Sequence, residues 1–206
     1  MGIYSIKPKF QKFLTPVTNF FIRHKISPNT INITGLLLSL VAGVCLYYSS
    51  SKPELLLYVP VLVFVRTAFN ALDGLVSRAL GVASSFGEVL NEFLDRISDS
   101  AIFFGLALAT FSNLALGSLT VIVILLNSYL SIVSKAAGGS RQYGGVMGKA
   151  DRMIYVGVMS LLVYVTHNSS LWNYFFVFIL IGTSITLVQR FIVTKNELYL
   201  IDHDRR

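Results

Sequence analysis

Charge is scarce in this chain of 206 residues. Asp, Glu, Lys and Arg make up 13% of it, where a soluble domain of ordinary composition carries about 25%. The shortage excludes a pair of soluble domains and points to one membrane domain. Cysteine is nearly absent. The single example, Cys45, lies inside an apolar run, which excludes an internal disulfide and a cysteine-held metal cluster. Histidine is almost as rare: His24 reads as part of an interfacial segment, His167 as part of an external turn and His203 as part of a tail. No internal repeat or low-complexity stretch occurs. The first residues carry Lys7, Lys9 and Lys12 among aromatics, with neither a continuous apolar core nor a small-residue cleavage site, so no cleavable signal peptide is expected. A nucleic-acid partner is not expected either. The net charge is +7, but no soluble domain presents a basic face, and cytosolic loops of membrane proteins collect Lys and Arg for their own reasons.

What the chain has instead is apolar length: 54% of it is hydrophobic. A spanning helix needs about 20 mostly apolar residues. Six runs approach that length, Ile31–Tyr48, Leu55–Leu72, Phe86–Phe111, Leu114–Lys135, Met153–Thr166 and Trp172–Val193. They predict an all-α fold, a six-helix transmembrane bundle. With an even number of spans both termini share a side. That side receives Lys7, Lys9, Lys12, Arg23, Lys25, Arg78, Lys135, Arg141, Lys149, Arg152, Arg190, Lys195, Arg205 and Arg206, while the other receives only Lys52. The asymmetry puts both termini in the cytosol. Residues 1–26 alternate cations with Phe10, Phe13, Leu14, Val17, Phe20 and Phe21, and they are expected to form an amphipathic segment in the membrane interface, with Pro16 at a kink or helix start. Ser27-Pro28-Asn29 reads as a turn before the first span, with Asn29 or Thr30 as its N-cap. The membrane domain then covers 27–196, and a cytosolic tail covers 197–206.

The acids are distributed unevenly. Of ten in the chain, five (Asp73, Glu88, Glu92, Asp95 and Asp99) lie where the second span ends and the third begins. Ionised groups are costly in lipid and are usually paired or functional. At 100° per residue, Glu88, Asn91, Glu92, Asp95 and Asp99 fall within an arc of about 100° on the third helix. Arg66, Asn70, Asp73 and Ser77 share one face of the second. Facing each other, the two stripes form a cup of oxygen ligands at the cytosolic end. Clustered carboxylates call for a cation, and without a nearby His or Cys it is a hard one such as Mg²⁺, Mn²⁺ or Ca²⁺. Mg²⁺ held by carboxylates and substrate phosphates is the usual arrangement for phosphoryl transfer. Gly74 and Gly87 permit either close approach of a nucleotide or close helix packing.

The stretch reads Asn70-Ala-Leu-Asp73-Gly74-Leu-Val-Ser77-Arg78, eight residues, then Gly87-Glu-Val-Leu-Asn91-Glu-Phe-Leu-Asp95. It resembles the signature of the CDP-alcohol phosphotransferase family, DxxDGxxAR, a spacer of the same length, then GxxxDxxxD. Asn70 and Asn91 stand where the family has Asp, and Ser77 where it has Ala. The resemblance implies a transferase that cleaves the diphosphate of CDP-diacylglycerol or another CDP-alcohol. CMP is released, and the phospho-alcohol passes to a small polar or phosphorylated alcohol in phospholipid biosynthesis. It implies a metal set of Asn70, Asp73, Asn91 and Asp95 around one or two Mg²⁺ or Mn²⁺ ions, with Asp95 as catalytic base. It implies CDP contacts from Asp73, Gly74, Ser77, Arg78 and Gly87, and a homodimer in a bacterial-type cell membrane with its active site cytosolic. Each Asn removes a negative charge, so weaker metal binding or a single ion is expected, and Glu88, Glu92 and Asp99 either compensate or form an ion-paired helix end with Arg96.

Lys135, Arg141, Lys149 and Arg152 flank or occupy a glycine-rich loop. They either seat an anionic acceptor such as a polyol phosphate or are ordinary basic loop residues. The loop is not a P-loop, because Gly148-Lys149 is followed by Ala. Two further readings stay open. One is a weakly active or inactive relative that binds nucleotide, lipid or a partner. The other is a cation transporter, which the position of the acids disfavours, since transporter sites lie near the midplane.

Overall fold

The computed structural model describes residues 7–204. Residues 1–6 of the expected interfacial segment, and Arg205 and Arg206 of the basic side, lie outside them. Among the described residues every regular element is helical. Two short helices, α1 (Lys7–Phe13) and α2 (Thr15–Arg23), precede six long ones. These are α3 (Pro28–Tyr48), α4 (Val59–Leu80), α5 (Ser85–Ala107), α6 (Leu114–Ala136), α7 (Lys149–Thr166) and α8 (Leu171–Asp204), with a 3₁₀ turn, Pro53–Leu57, leading into α4.

The helix starts follow local chemistry. Pro16 falls in the first turn of α2, where its missing N–H is no loss. The N-cap of α3 is Ser27, not Asn29 or Thr30 as the sequence suggested. Its Oγ accepts from the Thr30 N–H at 3.1 Å, and Pro28 takes the first helical position that the neighbouring polar residues would otherwise have left ambiguous. Ser84 caps α5 by accepting from the Gly87 N–H at 3.0 Å. Asn113 caps α6 through the Leu116 N–H. The expected spans match these helices, with shifted ends. The third ends in a turn after Ala107 instead of continuing to Phe111. The fifth begins back at Lys149, and the last continues to Asp204, so residues 197–204 prolong a helix.

Four helical segments, Pro28–Tyr48, Pro53–Leu80, Leu114–Ala136 and Leu171–Asp204, are long and apolar enough to cross a membrane. The outside of the bundle is apolar: Val61, Phe64, Val165, Tyr174 and Ile181 are exposed. The inside holds buried polar groups, among them Ser39, Arg66, Asn127, Ser160 and Thr183. Several are satisfied within their own helix. Ser39 Oγ donates to Gly35 O, Ser160 to Val156 O and Thr186 to Gly182 O, each at 2.8–2.9 Å, which is how hydroxyls are kept in a lipid-bounded interior.

Two apolar clusters hold the helices together. The larger joins Ile102, Phe103 and Leu106 of α5 to Val156 of α7 and to Trp172, Phe175 and Phe176 of α8, all at most 1% exposed. The smaller packs Leu14, between α1 and α2, with Ile31 of α3 and Leu72 and Val76 of α4, so the N-terminal arm is docked on α4. Helices α3 and α5 meet at Gly43 and Gly105. A Cβ on Gly43 would collide with the Ala101 carbonyl, and one on Gly105 with the Gly43 carbonyl. Small residues at such a crossing let backbones touch where lipid supplies no hydrophobic drive between helices.

Candidate active site

The C-terminal half of α4, the N-terminal half of α5, the end of α6 and the start of α7 converge at one end of the bundle. The two predicted stripes do face each other there. Asn70 of α4 donates through Nδ2 to both carboxylate oxygens of Asp95 on α5, at 2.9 and 3.1 Å. Arg66, one turn earlier and 2% exposed, donates to Asp99 Oδ1 at 2.9 Å and to Ser39 Oγ of α3 at 3.2 Å, and lies 3.5 Å from Asp95. Asn70, Asn91 and Asp95 line a narrow crevice whose third wall is α3, through Asn32 and Gly35.

The α5 acids then run outward as a ladder of ion pairs. Asp99 meets Arg152 at 3.4 Å, Asp95 meets Lys149 at 2.5 Å, Glu92 meets Arg141, and Glu88 meets Lys135. Arg96 adds contacts of 3.7 Å to both Glu92 and Asp95. The four loop cations singled out in the sequence are therefore spent on four successive acids of one helix face. A carboxylate and a cation brought together from separate elements screen each other's desolvation, which lets α5 and α7 keep charged first turns.

Asp73 differs from the other acids of this end. It is 7% exposed yet forms no ion pair with a described residue. Gly74 follows it, and a Cβ there would lie 3.3 Å from Arg78 Nη1, so the exposed Arg78 side chain folds back over that glycine. Arg78 forms no ion pair with a described carboxylate. Ser77 is half-buried on the same face, and Gly87 serves the N-cap of α5.

Sequence reasoning missed the contributions of α3 and α8. Asn32, Gly35 and Ser39 recur at helical spacing, a small polar stripe within the first apolar run. Thr186, Gln189, Arg190 and Glu197 form a face of α8 that binds the glycine-rich loop. Thr186 Oγ1 accepts from the Met147 N–H at 2.9 Å, Gln189 from the Val146 N–H at 3.1 Å, and Arg190 donates to Gly144 O at 2.8 Å. Gly145 sits at φ +125 against Thr186, where a side chain has neither the backbone conformation nor the room.

The fold and this centre define an integral membrane protein of helical architecture, with a charged, oxygen-rich site at one end of its bundle. Residues 25–188 match the CDP-alcohol phosphatidyltransferase family, and the chain belongs to that family. Its activity class is accordingly CDP-alcohol phosphatidyl transfer in phospholipid synthesis, which sets aside the cation transporter. Among its relatives, the inner membrane protein YnbA of Escherichia coli is 34% identical over 173 residues, spanning 84% of this chain and 86% of YnbA. The archaetidylinositol phosphate synthase of Pyrococcus horikoshii is 29% identical over 193 residues, spanning 94% and 96%. In structure, the chain shares its fold with the phosphatidylinositol phosphate synthase PgsA1 of Mycobacterium tuberculosis. The complex of that enzyme with manganese and citrate superposes with a TM-score of 0.67 at 24% identity, covering 87% of this chain and 88% of that one. Its form with CDP-DAG bound gives 0.68 at 23%, covering 89% and 94%.

Proposed function

We propose that this protein transfers the phosphatidyl group of CDP-diacylglycerol to the hydroxyl of a small phosphorylated polyol, with release of CMP, at the cytosolic face of a bacterial-type cell membrane. The observation that carries the reading is the junction of the two motif halves at the Asn70–Asp95 hydrogen bonds, in a chain of this family whose relatives include phosphatidylinositol phosphate and archaetidylinositol phosphate synthases. In the reaction the acceptor oxygen attacks the phosphorus that bears diacylglycerol. The bond from that phosphorus to the bridging oxygen breaks, CMP leaves with the oxygen, and the acceptor proton passes to Asp95. Arg78 is free of carboxylate partners among the described residues and reads as a donor to diphosphate oxygens, with Asp73, Gly74, Ser77 and Gly87 around the cytidine diphosphate. All of α3–α8 span the membrane in this reading, α1 and α2 lie in the interface, and two copies form a homodimer.

A divalent cation, Mg²⁺ or Mn²⁺, fits the residues present. Asp73 is a buried carboxylate with no direct ion pair among the described residues, and Asp95 and the amide oxygens of Asn70 and Asn91 complete an all-oxygen donor set suited to hard ions. When bound, the ion neutralises charge on the diphosphate. Asn70 already spends its N–H₂ on Asp95, leaving its carbonyl oxygen as the group available to a cation. The ladder acids Glu88, Glu92 and Asp99 all have cationic partners, so their compensation for the two asparagines is not part of this reading.

Lys135, Arg141, Lys149 and Arg152 form the acceptor side. Arg141 supports it with a buried Nε that has no hydrogen-bond partner among the described residues, a donor suited to a phosphate oxygen. One observation favours a second reading, a catalytically weak relative that binds the nucleotide. Asp95 is already surrounded by Arg66, Arg96, Lys149 and Asn70, so both its oxygens are engaged before any substrate arrives. CMP release by the purified protein from CDP-diacylglycerol separates the two. It is measured with Mg²⁺, Mn²⁺ or chelator, across inositol phosphate, glycerol phosphate, inositol, serine and no acceptor. Metal-dependent release that rises with a phosphorylated acceptor supports the transferase; metal-dependent nucleotide binding without release supports the second reading.

A further inference from the structure

The segment Ser140-Arg141-Gln142 is held on two sides while its middle residue reaches a third. Residues 140–143 carry no helix, and their side chains divide between two faces. Ser140 and Gln142 turn toward α8. Both oxygens of Glu197 are used there: Oε1 accepts from the Ser140 N–H at 2.7 Å, and Oε2 from Ser140 Oγ at 2.9 Å and Gln142 Nε2 at 2.8 Å. On the α6 side, Ser134 Oγ donates to Ser140 O at 2.9 Å and Ser131 Oγ to Gln142 O at 2.6 Å. Arg141 points the other way, over the Tyr143 ring at 4.8 Å and onto Glu92 of α5. Glu197 is half-buried and forms no ion pair with a described cation. Its charge is met by hydrogen bonds from the two residues that bracket Arg141.

We infer that Glu197 is a positioning residue of the transferase: by clamping Ser140 and Gln142 to α8 it fixes Arg141 in the site and so sets affinity for the phosphorylated acceptor. The inference rests on the transferase reading and deepens its acceptor side. A carboxylate accepting a backbone N–H and two side-chain donors makes stronger bonds than neutral acceptors do. The pinned segment between them has no regular structure of its own to hold a guanidinium in place. Ser140, Gln142 and Glu197 therefore act through Arg141.

The test is a double-mutant cycle on CMP release by full-length protein, with CDP-diacylglycerol and Mn²⁺ saturating and inositol phosphate varied. Glu197→Ala is expected to raise the acceptor KM on the order of tenfold, with the donor KM and the kcat at saturating acceptor held. Glu197→Gln, which keeps an oxygen for the Ser140 N–H, restores part of that loss. Arg141→Ala raises the acceptor KM at least as far, and adding Glu197→Ala to it brings no further increase. Multiplicative KM effects in the double variant, or an equal rise in donor KM for Glu197→Ala, overturn the proposal, because a merely structural role acts on both substrates and independently of Arg141. If Glu197→Ala does not fold, the same cycle is run with Glu197→Gln. Wild-type protein that releases no CMP with any acceptor sinks the transferase reading and this inference together; release with an additive cycle sinks the inference alone.

Discussion

The two halves of α5 are held by different forces. From Glu88 to Asp99 the helix meets its neighbours through charge: every acid on its face has a cation from α4, α6, the α6–α7 connection or α7. From Ala101 to Ala107 it meets them through shape. Ile102, Phe103 and Leu106 are at most 1% exposed, and Gly105 lies against the Gly43 backbone. Ion pairs between mobile side chains can exchange partners when a phosphate or a metal arrives, whereas a backbone-to-backbone crossing admits one arrangement. The helix thus carries an adjustable half for chemistry on a rigid half for placement.

That contrast can be broken from either end. The largest effect is expected from Asp95→Asn, which keeps the side-chain shape but removes the base and one of the two oxygens that accept from Asn70. CMP release should fall about 10²- to 10⁴-fold, far more than any loss of folded protein, followed by thermal midpoint and monodispersity in detergent, accounts for. Arg66→Met should come next. It leaves Asp99 and Asp95 short of a cation in the interior, and loss of one partner of a buried pair is worth about 3–5 kcal/mol; thermal unfolding followed in detergent checks it, and an unchanged midpoint would mean that Arg152 and Lys149 suffice. Gly105→Val tests the rigid half. Overpacking of about 1–3 kcal/mol should lower the midpoint and reduce metal-dependent activity only in proportion to folded protein. The smallest effect belongs to the outer rung: Lys135→Ala removes a pair whose members are 53% and 49% exposed, worth about 0–1 kcal/mol, and the midpoint should barely move.

Much of this architecture is legible in the residues. The apolar runs locate α3 to α8, because in lipid the backbone must satisfy itself and a helix is the way to do so. The spacing of Arg66, Asn70 and Asp73 on one helical face and of Asn91 and Asp95 on another foretells the α4–α5 encounter. The helix ends were less legible. The α3 cap fell to Ser27 because Pro28 competes with Asn29 for the first turn, and α8 outran its apolar stretch because exposed polar residues can continue a helix beyond the span. Asn32 and Ser39 interrupt a hydrophobic run, and their spacing with Gly35 marks one face of α3.

The sequence by itself determined the class of the protein, the helices and the chemistry of the motif, since these depend on local periodicity and on residue types at short spacings. Only the tertiary structure decided which cation meets which acid, that Glu197 reaches back across α8 to Ser140 and Gln142, and that Asp73 alone among the motif-region acids lacks an ion-pair partner among the described residues. Those pairings join residues tens of positions apart, so they exist only once packing has fixed how the helices are rotated and at what height they cross.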